Sequence, residues 1–244
     1  MVTIDEPHAQ HQNHVLTQNP RVVSLVPSVT ETLLSWGTTP IACTRFCEQP
    51  HLTSVGGTKD PNLQAIYDLA PDLVIMEREE NLREHYEALV AHGVTVHAMH
   101  VTSLDSLGLE LNRLATALSL STPELALPNR IDQRLRAFVP IWRKPWMALG
   151  QPSYGASLLA HLGVVVIPQD QGPYPEIEFQ DAVSLNVDIV LAPSEPYPFT
   201  ARQLPELEMI APVVFIDGQD LFWWGVRTEL ALQRISVLID SVIA

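Results

Sequence analysis

The stretch LAPDLVI at 69–75 has a counterpart, LNVDIVL, at 185–191, and in both an aspartate, Asp72 or Asp188, immediately precedes an apolar run. ETLLSWG likewise has a counterpart in ASLLAHLG. Such internal likeness requires that the fold built around the first copy is built again around the second. From Arg21 onward, period-2 or continuous apolar runs alternate with helical patterns. RVVSLV reads as a strand, SVTETLLSWG as a helix closing on Gly37, IACT as a strand and NLQAIYDLA as a short helix. DLVIM is then a strand, NLREHYEALVAHG a helix ending on Gly93, VTVHAM a strand and SLDSLGLELNRLATALSL a helix. The second half repeats the order in PWMALG, YGASLLAHLG, VVVIP, EFQDAVSLN, DIVLA, TARQLPELEMI, PVVFID and a last helix from about Val226. Strands alternating with helices form parallel sheets covered by helices, so the expected fold class is α/β, two Rossmann-like lobes with parallel sheets.

The boundaries follow from the same pattern. Residues 1–20 form a disordered polar tail, 21–118 an N-terminal α/β lobe and 144–244 a C-terminal one. Over 119–143, Ile131, Leu135, Phe138 and Trp142 keep the i, i+4, i+7, i+11 spacing, and Ser121 with Glu124 makes a capping box, which together predict one long helix joining the lobes. Pro128 should bend that helix or delay its start. From Gly37 to Leu69 there are 32 residues against 22 from Gly163 to Leu185, so the first lobe carries an insertion, TRFCEQPHLTSVGGTKDP, after its second strand. Loops at the carboxyl ends of parallel strands are where such folds place ligands.

With 46% hydrophobic and 17% charged residues in 244, the chain has the means to bury a core. Its net charge of −14 repels phosphate backbones and anionic lipid surfaces, which argues against nucleic acid as a partner. No apolar run approaches the roughly 20 residues that span a bilayer, so membrane insertion is not expected. The opening MVTIDEPHAQHQNHVLTQNP has neither a basic nor an apolar signal region, which reads as cytoplasmic as written, and as periplasmic or extracellular if a leader has been omitted. Two cysteines, Cys43 and Cys47, do not settle the compartment.

The duplicated lobe, the segments RVVSLVPSVTETLLSWG, VGGTKDPNLQAIYDLAPDLVI and GVTVHAMHVTSLDSL, and the closing aromatic-Gly-x-Arg segment resemble the substrate-binding proteins of vitamin B12 and iron-siderophore ABC transporters, in which one helical backbone joins the lobes. The resemblance covers essentially the whole chain from Arg21. It implies a ligand cleft between the lobes, a cobalamin-like, haem-type or iron-siderophore ligand, a partner permease, a monomeric state and no intrinsic cofactor or metal. It also implies binding without chemistry. G-x-S-x-G, H-E-x-x-H and G-x-G-x-x-G are all absent, so an enzyme reading finds no support in motifs.

Candidate contacts are read on the strand-end loops. Pro27 and Ser28 follow the first strand, where Ser28 with Glu31 also reads as a capping box. Arg45, Phe46 and Cys47 lie in the insertion, and a cation beside an aromatic suits a flat conjugated ligand. Gly57 belongs to a Gly-Gly turn that permits close approach. Glu77, with Glu79 and Glu80, suits a cationic or metal-bearing ligand, or else an acidic first helical turn. In the second lobe Tyr154, Tyr197 and Phe199 are candidates, the last two on a loop stiffened by three prolines, although packing beneath the loop is an equal reading. Trp223 and Trp224 are adjacent, so one is expected to close the core while the other meets ligand, with Arg227 a helical turn away.

Two alternatives stand beside this reading. One is a zinc, manganese or iron receptor, for which His8, His11, His14, His51, His85, His92, His97 and His100 supply ligand types, yet save for His51 they do not fall at the strand ends. The other is a cytoplasmic sensor or scaffold whose cleft has become a docking surface.

Overall fold

The computed structural model describes residues 20–121 and 124–243. The expected tail, with His8, His11 and His14, lies outside the described residues but for Pro20. The chain divides into two compact units, Met1–Val101 with Ser106–Glu124 and Thr102–Asp105 with Leu125–Ala244.

The first unit holds β1 (Val22–Ser24), α1 (Pro27–Ser35), β2 (Ala42–Cys43), β3 (Thr53–Ser54), α2 (Leu63–Asp68), β4 (Leu73–Glu77), α3 (Arg83–Ala91), β5 (Val96–Met99) and most of α4 (Leu104–Ala117). The five strands form one parallel sheet in the order β3-β2-β1-β4-β5. β1 and β4 are buried along their whole length, which is why both read as unbroken apolar runs rather than alternating ones. Val23, Leu25, Val74, Met76, Ile66 and Leu89 make its core.

The second unit contains β6 (Leu135–Phe138), β7 (Pro140–Arg143), β8 (Trp146–Ala148), α5 (Tyr154–His161), β9 (Val164–Val166), α6 (Phe179–Val183), β10 (Ile189–Pro193), α7 (Leu204–Leu207), β11 (Val213–Ile216), α8 (Gly218–Phe222) and α9 (Thr228–Ile243). Its parallel sheet runs β11-β10-β6-β9, so β9, β6, β10 and β11 repeat the places of β2, β1, β4 and β5. The two-lobe α/β reading holds.

The duplication is written in hydrogen bonds. The backbone N–H of Arg21, at the mouth of β1, donates to Asp72 Oδ2 at 2.7 Å while the Asp72 N–H returns a bond to the Arg21 carbonyl at 2.9 Å. Arg136 in β6 does the same with Asp188, at 2.7 and 2.8 Å. Both arginines then reach a carbonyl of the loop before the aspartate, Ala70 in one unit and Asn186 in the other. Helix ends repeat as well: α1 and α5 each stop before a glycine at positive φ, Gly37 (76°) and Gly163 (78°).

Three expectations are corrected. The helix expected over 119–143 is not formed in its described part, since 124–134 is without helix or strand and 135–143 contributes two strands. Pro128 removes a donor and disfavours helix at Leu127 before it, and Leu135–Phe138 is needed as the central strand between β9 and β10. The extended segment fastens to the end of α5 through Ile131 N–H to His161 O at 2.9 Å and Arg134 N–H to Gly163 O at 2.8 Å. PWMALG is accordingly not the first strand of the second sheet; β8 pairs antiparallel with β7 in a hairpin. Lastly, Ser28 does not cap α1, whose N-cap is Val26 with Pro27 at the first helical position. The box expected from Ser121 and Glu124 spans residues outside those described, and Glu124 is not helical.

Candidate functional site

Every candidate in the first unit lies at or after the carboxyl end of a strand. Pro27 and Ser28 start α1 and are buried, their contribution limited to the first turn of that helix. Arg45–Cys47 forms one turn of 3₁₀ helix after β2. Phe46 is 49% exposed, and the Arg45 guanidinium lies 4.8 Å from its ring centroid. The same guanidinium holds Asp60 at 2.9 and 3.0 Å. Gly57 explains itself here: a Cβ would lie 2.2 Å from Asp60 Oδ1 and 2.7 Å from Arg45 Nη2, so the glycine makes room for that pair. Cys47 is only 2% exposed, which removes it from direct ligand contact.

Glu77 is also removed from the surface. At the end of β4 it is 2% exposed, its Oε2 accepting from the N–H groups of Glu79 (2.6 Å) and Glu80 (3.0 Å). It thus caps the turn rather than facing a ligand. Burial, then Glu79 beside it, pushes its carboxyl up to about 8 against the pull of those N–H groups. Asn81 completes the knot, donating to the carbonyls of Leu25 (3.2 Å) and Thr58 (2.9 Å) and accepting from Glu77 N–H (2.8 Å). One amide therefore ties the loops after β1, β3 and β4 together.

In the second unit the aromatics divide. Tyr154 is buried, with its hydroxyl 2.9 Å from Thr228 Oγ1, and burial pushes its phenol well up. Phe199 is 3% exposed among Trp146 and Tyr197. Tyr197 is half-buried with its ring edge-on to Trp142 at 5.7 Å. Tyr154 and Phe199 are thus core residues, and Tyr197 is turned to the β7–β8 hairpin. Trp224 is 5% exposed and closes the core, whereas Trp223 is half-buried with the Arg227 guanidinium 5.3 Å from its ring. This is the division expected of adjacent tryptophans. Asp220, 3% exposed, holds the arrangement: it binds Arg234 through both carboxylate oxygens and Arg227 at 3.6 Å. Sequence reasoning passed over this hub because its members stand on different elements, Asp220 in α8, Arg227 between the helices and Arg234 in α9, so no single helical period connects them.

A groove of about 730 Å³ opens elsewhere in this unit, among Lys144, Trp146, Gln171, Glu176, Asp181 and Glu206, and none of the expected contacts lines it. As for metal ions, no group of three His, Cys, Asp or Glu placed to hold one occurs among the described residues. His92 stacks on Tyr67 at 3.7 Å, and His161, which the sequence left aside, meets the Pro128 carbonyl at 2.7 Å.

The sequence profile of the periplasmic binding protein family matches residues 22–204. The chain belongs to that family. A vitamin B12-binding protein of Pectobacterium carotovorum is 23% identical over 240 residues, covering 88% of this chain and 86% of the relative. A vitamin B12-binding protein of Salmonella paratyphi A is 29% identical over 100 residues, where the chain spans only 38% of the relative's length. The solved periplasmic vitamin B12 binding protein of Vibrio cholerae shares the fold, with a TM-score of 0.73 at 18% identity, covering 92% of this chain and 98% of that one. After the buried residues are set aside, Gly57 among them, the expected contacts that keep exposed surface are Arg45 and Phe46 in one unit and Tyr197, Trp223 and Arg227 in the other. No helix among the described residues is long and apolar enough to cross a membrane.

Proposed function

We propose that this chain is the non-catalytic substrate-binding component of an ABC transporter, acting as a monomer outside the cytoplasmic membrane and taking a flat metal chelate of the corrinoid type. Family membership and relatives named for vitamin B12 support the transport role. The ligand class rests on one observation above all, the half-buried Trp223 at the end of α8 with Arg227 against it. An indole offers a flat conjugated ring a stacking surface, and a guanidinium beside it offers donors to the amide or carboxylate groups such ligands carry. Asp220 already holds the Arg227 guanidinium, so little of that side chain's freedom is lost on binding. Phe46 with Arg45 repeats the same aromatic and cation pairing in the other unit.

The test is equilibrium dialysis and tryptophan fluorescence with cobalamin, haem and ferric siderophores. Wild type is expected to bind cobalamin saturably, and Trp223→Ala to weaken binding on the order of 10-fold, as loss of a buried aromatic anchor does. Trp224→Ala is expected instead to cost about 3–5 kcal/mol of stability. Saturable binding of haem or a siderophore with cobalamin excluded would reassign the chelate, and no binding of any of the three would sink the proposal.

A further inference from the structure

The loop that leaves β2 carries two thiols for which ligand binding has no use. Cys43 ends the strand, Cys47 ends the 3₁₀ turn, both are free and each is 2% exposed. Only Thr44, Arg45 and Phe46 separate them in the chain, and each thiol weighs on the other's ionisation. Around Cys47 the environment is built rather than incidental: Thr30 Oγ1 from α1 and Thr44 Oγ1 from the loop each lie 3.2 Å from its sulfur, and both threonines are buried. Thr30 is itself fixed, with Ser24 Oγ at 2.8 Å and the Val26 carbonyl at 3.1 Å from its hydroxyl. A thiol is a weak donor and a weak acceptor, so hydroxyls gathered on one buried sulfur favour its thiolate more than an apolar setting would.

The charge balance agrees. The neighbouring Cys43, with Thr30 and Thr44, draws Cys47 down to about 6 in spite of burial, while Cys47 in turn holds Cys43 far above its ordinary value. One sulfur is thereby the attacking group and the other keeps its proton. Arg45, Phe46 and Glu48, the residues flanking Cys47 in the turn, are exposed, so an oxidant reaches the buried pair when this short surface turn opens.

We propose that Cys43 and Cys47 form a peroxide-responsive dithiol that closes to a disulfide and clamps the Arg45–Phe46 turn to the end of β2. The Cys47 sulfur attacks one oxygen of hydrogen peroxide; the O–O bond breaks, Cys47 becomes a sulfenic acid, and the departing hydroxide takes a proton to become water. The Cys43 sulfur then attacks the Cys47 sulfur, the S–S bond forms as the S–O bond breaks, and the Cys43 proton leaves with that oxygen as a second water. Two electrons pass from the two thiols to the peroxide. This inference is independent of which ligand the protein carries.

The experiment treats the full chain with graded hydrogen peroxide, blocks remaining thiols with a maleimide in denaturant, and reads intact mass. Wild type is expected to lose the mass of two hydrogens, take up no maleimide, and recover both thiols with dithiothreitol. Cys43→Ser should stop at a sulfenic acid that dimedone traps, and Cys47→Ser should keep Cys43 reduced at the same dose. Thr44→Val, which retains both thiols, should need on the order of 10-fold more peroxide, because a donor to the thiolate is gone. Two maleimides on peroxide-treated wild type, or equal peroxide sensitivity of wild type and Thr44→Val, would overturn the proposal.

Discussion

Glu77 was read as a possible ligand contact because it ends a buried strand, and its burial gives it a different consequence. A carboxyl whose pKa in the fold, about 8, stands above the ordinary 4.5 favours the fold while protonated. Its contribution is fully present below about pH 4.5 and is lost as pH rises through 8. Glu77→Gln keeps an acceptor for the Glu79 and Glu80 N–H groups and cannot ionise. Wild type is therefore expected to lose stability relative to Glu77→Gln between pH 5 and 8.5, by up to about 1.4 kcal/mol per pH unit. Denaturant midpoints of the two proteins across that range check it, and parallel curves would show that Glu77 ionises normally. The same residue shows why the site was only partly legible. Sequence reads Glu77, Cys47 and Phe199 at or after the ends of sheet strands, and Tyr154 after a strand that proves to be part of the β7–β8 hairpin, but it cannot tell which way a side chain turns there. That direction is set by partners distant in sequence: Thr228 for Tyr154, Trp146 for Phe199 and Thr30 for Cys47.

Arg21–Asp72 and Arg136–Asp188 are the same device in two elements, each joining the entrance of a central strand to the entrance of its neighbour. Equal geometry predicts equal cost. Asp72→Ala and Asp188→Ala are each expected to lower stability by roughly 1–2 kcal/mol, the value of a backbone donor bound to a charged acceptor near the surface. Asparagine at either site should recover part of the loss. Urea midpoints of the four variants measure this, and a loss at Asp72 with none at Asp188 would mean that the duplication is one of shape alone. At this scale the alternation of strands and helices was readable because β1, β4 and β10 are buried on both faces and must be apolar throughout. β6 was not, because Leu135 and Phe138 satisfy a helical spacing as well as a strand, and only the vacant place between β9 and β10 decides between them. The β7–β8 hairpin has no counterpart in the first unit, so comparing the two halves could not reveal it.

For the molecule as a whole, the net charge of −14 is the property that acts on a ligand before any contact is made. Its field disfavours the approach of anions and leaves neutral ligands unaffected, and salt screens it over about 10 Å at 0.1 M. Local cations oppose it, since Arg45 and Arg227 stand on the loops proposed to bind, but Arg45 is paired with Asp60, and Arg227 shares Asp220 with Arg234, which leaves that trio a single positive charge. Against a total of −14 the global field should still dominate the encounter. Haem, with two carboxylates, is then expected to associate faster as salt rises from about 10 to 150 mM, while cyanocobalamin, neutral overall, keeps its rate. Stopped-flow association across that range measures both. If the haem rate instead falls with salt, the arginines steer the ligand in spite of their partners, and an anionic chelate becomes the better fit to this protein than a corrinoid.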